Sequence, residues 1–260
     1  MSGCDLRGMG VLVTRPVEQA ASLAGAIRQM GGVPTVFSGV EIEALAPAGV
    51  ASTLSQLAAV DLAIFVSPTA VRLGVPLLIE RFGTLDRLRV AAVGQSTAAE
   101  LEKLGLSEII VPTSSSGVEA LVDCPQLRRP AGWSVLVVRG ESGNDALGTI
   151  LRARGAHVSF LECYRRRPPV ADFGAVAPLL RDGRIGAWMA TSGEILDNLF
   201  RLAGEHAEFL RNMPLFVNHP HVAMRAFSQA VKVIFVTAGG DAGLSAGLGT
   251  WFCRLRASMS

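Results

Sequence analysis

Short apolar runs, each closed by a turn signal and followed by a helical pattern, recur along the chain, and this alternation constrains the fold more than any other feature. Gly10-Val11-Leu12-Val13-Thr14 leads through Arg15-Pro16 into a helical stretch at 19–30, where Leu23, Ile27 and Met30 share a face. Gly31-Gly32 stops that helix, and Val33-Pro34-Thr35-Val36-Phe37 opens a second strand. Ala63-Ile64-Phe65-Val66 and Val90-Ala91-Ala92-Val93 are further buried strands, each ending in small and hydroxyl residues before a helix, and Ile109-Ile110-Val111-Pro112 supplies a fifth. Apolar strands alternating with helices read as a parallel sheet covered on both faces.

The same order then starts again. Val135-Leu136-Val137-Val138 opens like Val11-Leu12-Val13, a helix over 147–154 follows, and His157-Val158-Ser159-Phe160-Leu161 matches the second strand. Trp188-Met189-Ala190-Thr191-Ser192-Gly193, Leu215-Phe216-Val217-Asn218 and Val233-Ile234-Phe235-Val236 match the remaining three. Two copies of a five-strand α/β unit result. The second strand of each copy runs long, over 36–45 and 158–169, beyond the mean strand of about 5–6 residues. Such a segment can leave one sheet for another lobe, which permits either two sequential domains or two domains that exchange halves.

Composition narrows the function. With 260 residues, 50% of them hydrophobic, the chain can bury a sizeable core, and wholesale disorder is excluded. A net charge of +2 argues against chain-wide attraction to nucleic acid or to an anionic membrane surface. No run of 18 uninterrupted apolar residues is present to span a bilayer, and no leader-like pattern opens the sequence, so a cytoplasmic protein is expected. Cys4, Cys124, Cys163 and Cys253 form no CxxC pair and are read as reduced thiols.

In open parallel sheets, ligands bind outside the carboxyl ends of the strands. There the sequence places Thr14, Ser67, Thr69, Ser96, Thr97, Ser114, Ser115, Ser116, Thr191, Ser192 and Thr237, each before a helix. First-turn N–H groups and the helix dipole favour anions at such positions by roughly 0.3–1 kcal/mol per exposed contact. N-capping explains any one of these residues alone; the set, facing one cleft, suits a polycarboxylate or polyphosphate.

Nucleotide signatures are missing: no GxxxxGK[ST] occurs, and Gly140-Glu141-Ser142-Gly143-Asn144 is the nearest approach to a glycine-rich phosphate loop. No GxSxG elbow marks an α/β-hydrolase. His219 and His221 lack a third and fourth metal ligand at suitable spacing, so Asn218-His219-Pro220-His221 reads as a polar turn at a strand end and no metal is expected. Tyr164, the single tyrosine, lies in the long strand at Cys163-Tyr164-Arg165-Arg166-Arg167. Its phenol stays protonated at neutral pH and can donate a proton or a directed hydrogen bond; a half-buried strand residue is the plainer reading.

The ordered set of strand ends resembles the uroporphyrinogen-III synthase family over essentially the full length. The segments that carry the resemblance are Val11-Leu12-Val13-Thr14-Arg15-Pro16, Phe65-Val66-Ser67-Pro68-Thr69-Ala70-Val71, Ala92-Val93-Gly94-Gln95-Ser96-Thr97-Ala98, and Val137-Val138-Arg139-Gly140 with Tyr164-Arg165-Arg166. The resemblance implies an α/β fold of two flavodoxin-like parallel-sheet domains joined by a two-stranded linker, one inserted into the other. Residues 1–40 and 166–260 would form the discontinuous domain and 41–165 the inserted one.

By the same resemblance, the chain would cyclise hydroxymethylbilane, a linear tetrapyrrole with eight carboxylates, to uroporphyrinogen III. Water is lost and ring D is inverted, without metal or organic cofactor, and the protein would act as a monomer with no nucleic-acid or membrane partner. Tyr164 would protonate the leaving hydroxyl. Arg15, Ser67, Thr69, Gly94, Ser96, Thr97, Ser115, Arg139, Thr191, Ser192 and His221 would contact substrate. Two departures stand out: many members carry Gly-x-x-Thr-Ala where this chain has Asn218-His219-Pro220-His221-Val222-Ala223, placing His221 at the threonine, and Asn144 stands where arginine is common. The alternative reading is a two-lobed cytoplasmic binding protein for an anionic small molecule, without turnover.

Overall fold

The computed structural model describes residues 5–57, 59–85, 88–113 and 117–258. In chain order the elements are β1 (Gly10–Val13), α1 (Val17–Gln29), β2 (Val33–Val36), β3 (Glu41–Ala44), α2 (Pro47–Ser55), β4 (Leu62–Phe65), α3 (Pro68–Phe82), β5 (Arg89–Ala92), α4 (Gln95–Lys103) and α5 (Val118–Val122). There follow β6 (Ser134–Gly140), α6 (Ala146–Ala153), β7 (His157–Arg167), α7 (Ala177–Arg181), β8 (Ile185–Ala190), α8 (Gly193–Ala203), α9 (Ala207–Asn212), β9 (Leu215–Val217), α10 (Pro220–Ser228), β10 (Ile234–Val236) and α11 (Gly240–Ala257).

Two five-stranded sheets form, ordered β2-β1-β8-β9-β10 and β3-β7-β6-β4-β5. The pairs joining β2 through β10 in the first sheet, and β7 through β5 in the second, are parallel. Each sheet therefore takes the first two strands of one sequence copy and later strands of the other, which is the exchange of halves that periodicity left open. The chain divides into two compact units, Met1–Glu41 with Arg167–Ser260, and Ile42–Arg166.

Strand alternation explains the core of the second unit. Ala63, Phe65, Val90, Ala92, Leu136 and Val138 point to the α3 and α4 side, while Leu62, Ile64, Ala91, Val135 and Val137 pack with α5 and α6 residues on the other. In the first unit, Val11, Val13, Ala187, Met189 and Phe216 meet Leu23 and Ile27 of α1 and Leu244 and Leu248 of α11. Trp188, fully buried, faces the opposite way; its indole N–H donates to the Met213 carbonyl at 3.2 Å and its ring meets Phe200 edge-on.

Three expectations need correction. The long segment 36–45 is not one strand: it breaks between β2 and β3, which belong to different sheets. The break sits at Ser38-Gly39, where a Cβ on Gly39 would stand 2.9 Å from Ile195 Cγ2 and the Gly39 carbonyl accepts the Asn198 side-chain N–H at 2.9 Å. The strand anticipated at 109–112 reduces to a parallel bridge between Ala91 and Ile110, since Pro112 has no N–H to extend the ladder. Cys124 and Cys163 carry free thiols, but Cys253 is disulfide-bonded.

Candidate active site

The register of β6 on β7 runs evenly from Ser134↔His157 to Arg139↔Glu162, and then Gly140 faces Tyr164. One residue, Cys163, is absorbed as a bulge, a device that re-aims the next side chain. Strict alternation would send Tyr164 away from Leu161 and Cys163; instead it joins them, with Phe65, Ala70 and Val138, in one cluster on the α3 side. Burial pushes the Cys163 thiol up to about 12, which leaves it un-ionised and inert at neutral pH.

The tyrosine is held at three points. Its carbonyl accepts the Glu141 N–H at 2.7 Å. Its ring lies on Gly140, where an added Cβ would stand 2.8 Å from Cε2 and 2.9 Å from Cζ. Its phenol oxygen, on a side chain left 6% exposed, is 3.0 Å from Ser67 Oγ. Ser67 is the N-cap of α3, with extended backbone, Pro68 at the first helical position, and Oγ accepting the Ala70 N–H at 3.1 Å.

Next along the carboxyl edge, Val93 N–H donates to the Phe65 carbonyl at 3.1 Å, so α3 and α4 start side by side. Gly94 caps α4 without any side-chain acceptor, leaving the first-turn amides of Gln95 and Ser96 uncapped by a side chain. The Ser96 side chain is exposed. Thr69 and Thr97 are buried, at 4% and 3% exposure, so their hydroxyls turn into the fold; Thr69 Oγ1 accepts from Arg72 at 3.4 Å. Ser114, Ser115 and Ser116 lie outside the described residues.

Arg139 is spoken for. Its guanidinium donates to Glu162 at 3.0 Å and to the Gly143 and Asn144 carbonyls at 3.0 and 3.4 Å, and it stacks 3.8 Å from the Phe160 centroid. The resemblance places Arg139 among the substrate contacts; in the structure its guanidinium ties the Gly140–Asn144 loop to β7.

The remaining candidates belong to the other unit. Arg15 pairs with Asp241 in the first turn of α11. Thr14 is buried and donates to the Met189 carbonyl. Thr191 is half-buried, and Ser192 caps α8 by accepting the Ile195 N–H at 3.2 Å. His221 is exposed, and its backbone N–H donates to His219 Nδ1 at 3.1 Å, which makes the His219 ring the N-cap of α10 ahead of Pro220. That explains the Asn-His-Pro-His turn as helix initiation. No group of three His, Cys, Asp or Glu side chains placed to hold a metal occurs among the described residues.

The structure thus brings Tyr164 and Ser67 into contact, with Gly94 and Ser96 at the adjoining helix start. Gly140 and the Cys163 bulge support the tyrosine, and the sequence signal for them is the Arg139-Gly140 turn alone.

A family model described as uroporphyrinogen-III synthase HemD matches residues 21–240. The chain is 33% identical over 197 residues to the uroporphyrinogen-III synthase of Salmonella typhimurium, covering 75% of this chain and 80% of the relative. It is 31% identical over 196 residues to that of Escherichia coli, at the same coverage. Among solved structures, a mutant uroporphyrinogen III synthase from Thermus thermophilus aligns with a TM-score of 0.59 at 19% identity, over 96% of this chain and 100% of the other. The uroporphyrinogen-III synthetase of Helicobacter pylori aligns at 0.54 and 14% identity, over 97% and 100%. These two structures speak for the fold.

Proposed function

The chain belongs to the uroporphyrinogen-III synthase family, and from that premise we propose that it cyclises hydroxymethylbilane to uroporphyrinogen III, with loss of water and inversion of ring D. The observation that carries the chemistry is the single tyrosine, re-aimed by a bulge and set against Ser67 at the carboxyl edge of a parallel sheet.

In this reading Tyr164 gives its proton to the ring A hydroxyl as the C–O bond breaks, so that water leaves and an azafulvenium cation remains. Ring D attacks through its substituted carbon to give a spiro intermediate, which fragments and recloses with the ring inverted. Closure releases one proton from the substrate, and that proton restores the phenol. Since uncatalysed closure gives the non-inverted isomer, control of substrate conformation is the larger part of the task.

Carboxylates of the substrate are assigned to backbone amides at helix starts. The first turn of α4, where Gly94 leaves the Gln95 and Ser96 N–H groups without a side-chain cap while Thr97 N–H serves the Gly94 carbonyl, is the leading candidate, with Ser67 and Thr69 at the start of α3 beside it. In the other unit the start of α8 at Thr191 and Ser192 is the corresponding candidate, and His221, whose N–H serves His219, is assigned a contact through its exposed side chain. Arg15 and Arg139, already paired, are assigned to holding their loops.

We read each unit as a flavodoxin-like domain, on the strength of the strand order. Numbered within the unit, the first sheet runs 2-1-3-4-5; in the second, β7-β6-β4-β5 with the Ile110 bridge runs 5-4-1-2-3, which becomes the same order once the unit is circularly permuted to begin at β6. Residues 1–40 with 166–260, and 41–165, are the domains of this reading, joined by the strands at β3 and β7. A monomer in the cytoplasm, working without a cofactor, completes it; no helix among the described residues is long and apolar enough to cross a membrane.

The test is to incubate hydroxymethylbilane with the purified protein, oxidise the product and separate the isomers. Type III product is expected; a mixture left entirely type I overturns the assignment.

A further inference from the structure

A serine hydroxyl has one proton to give and two lone pairs to accept with. On Ser67, one lone pair takes the Ala70 N–H at 3.1 Å, and the remaining partner is the Tyr164 phenol oxygen at 3.0 Å. Two arrangements satisfy that contact. If the phenol donates to Ser67, its one proton is spent inside the protein and none is left for a substrate. If Ser67 donates, the phenol keeps its proton for an acceptor other than Ser67, and the phenol oxygen gains a donor.

We infer that Ser67 is a positioning residue of the second kind, donating to the Tyr164 phenol oxygen so that the tyrosine proton is presented to the leaving group. The inference rests on Tyr164 being the acid. Ala70 N–H, Ser67 O–H and the phenol oxygen then form a chain of aligned donors running out of the first turn of α3, a helix of 15 residues. The positive end of that helix dipole polarises the chain. Negative charge developing on the phenol oxygen, as its proton departs, is met by a donor that needs no rearrangement.

Gly140 fixes the other half of the geometry. With no side chain there, the tyrosine ring settles onto the β6 backbone, and the Cys163 bulge turns it toward Ser67. The ring cannot swing toward β6 without meeting that backbone. The capping serine, just past the end of β4, and the glycine, on β6, act on one side chain from the ends of two strands that are neighbours in the sheet.

The chain's single tyrosine makes this measurable, because protein carrying tyrosine labelled with carbon-13 at Cζ gives one resonance, and it reports on Tyr164 alone. In Ser67→Gly, which keeps most of the helix-capping stability while lacking the hydroxyl, that resonance is expected to move. Turnover should fall tenfold or more with KM within twofold. Ser67→Thr, which keeps a hydroxyl, should restore both. Adding Ser67→Gly to Tyr164→Phe should cost no further turnover, since the serine acts through the tyrosine.

A resonance unmoved in Ser67→Gly overturns the inference, as does full turnover in that variant while Tyr164→Phe is slow. Full turnover in Tyr164→Phe is a different result: it removes the tyrosine from the reaction and takes the reading beneath this one with it.

Discussion

Ser67 and Tyr164, 97 residues apart in the chain, meet through their hydroxyl oxygens at 3.0 Å. The contact ties the start of α3, after β4, to β7, reaching past the end of the intervening strand β6. A helix cap and a strand side chain become one unit there, and the chemistry proposed for this protein is concentrated in it. In the same unit Thr69 and Thr97 are buried; in the other unit Ser192 caps α8.

Backbone amides at the start of α4 are assigned the substrate's carboxylates, so the exposed Ser96 hydroxyl matters little. Ser96→Ala should hold kcat/KM within about threefold, less than 1 kcal/mol. Gly94→Val, which places a branched side chain at the helix entrance, should raise KM at least tenfold. Steady-state kinetics on both variants checks this; a large loss in Ser96→Ala contradicts the assignment to amides.

Arg139 is expected to matter for stability. Replacing it by lysine forfeits the forked donation to Glu162 and two loop carbonyls and the stacking on Phe160. Urea unfolding should show a loss of about 1–3 kcal/mol, with KM for hydroxymethylbilane within twofold where the variant is folded. Normal stability with a tenfold higher KM would return Arg139 to the substrate.

Acid should weaken the first unit partly through Asp197. Hydrogen bonding from Arg225 at 2.9 and 2.8 Å, joined by Gln229 at 3.1 Å, holds the Asp197 carboxyl below its ordinary range. A carboxyl lowered in the folded state adds stability that is fully present above the unfolded value, about 3.9, and disappears as pH falls through the folded value. The pair is 39% and 48% exposed, so the contribution is modest. Wild type should therefore melt above Asp197→Asn at pH 6, with the gap closing as pH is taken below about 4; a gap independent of pH contradicts this.

Sheet strands such as β4, β6 and β9 were legible because each is a short apolar run bounded by turn residues, a purely local pattern. Which strands share a sheet was not legible, since both sequential and exchanged pairings bury the same faces. The break at Gly39 escaped for a related reason: its cause is the approach of Ile195 and Asn198, more than 150 positions away. Ser67 was visible as a cap before Pro68, and Tyr164 as the lone tyrosine, yet strict alternation would have turned the ring to the other face of the sheet. The bulge at Cys163 leaves no mark in composition or spacing. The His219 ring nitrogen serves the first turn of α10, a role that spacing to other metal-ligand types does not reveal.

The role of Tyr164 as the acid is tested most directly by single-turnover conversion of hydroxymethylbilane by Tyr164→Phe, compared with wild type, on variant protein whose circular dichroism is unchanged. One positioned acid contributes about 10²- to 10⁴-fold, and a slowing of that size with product still formed is expected. Turnover at the wild-type rate would contradict the account.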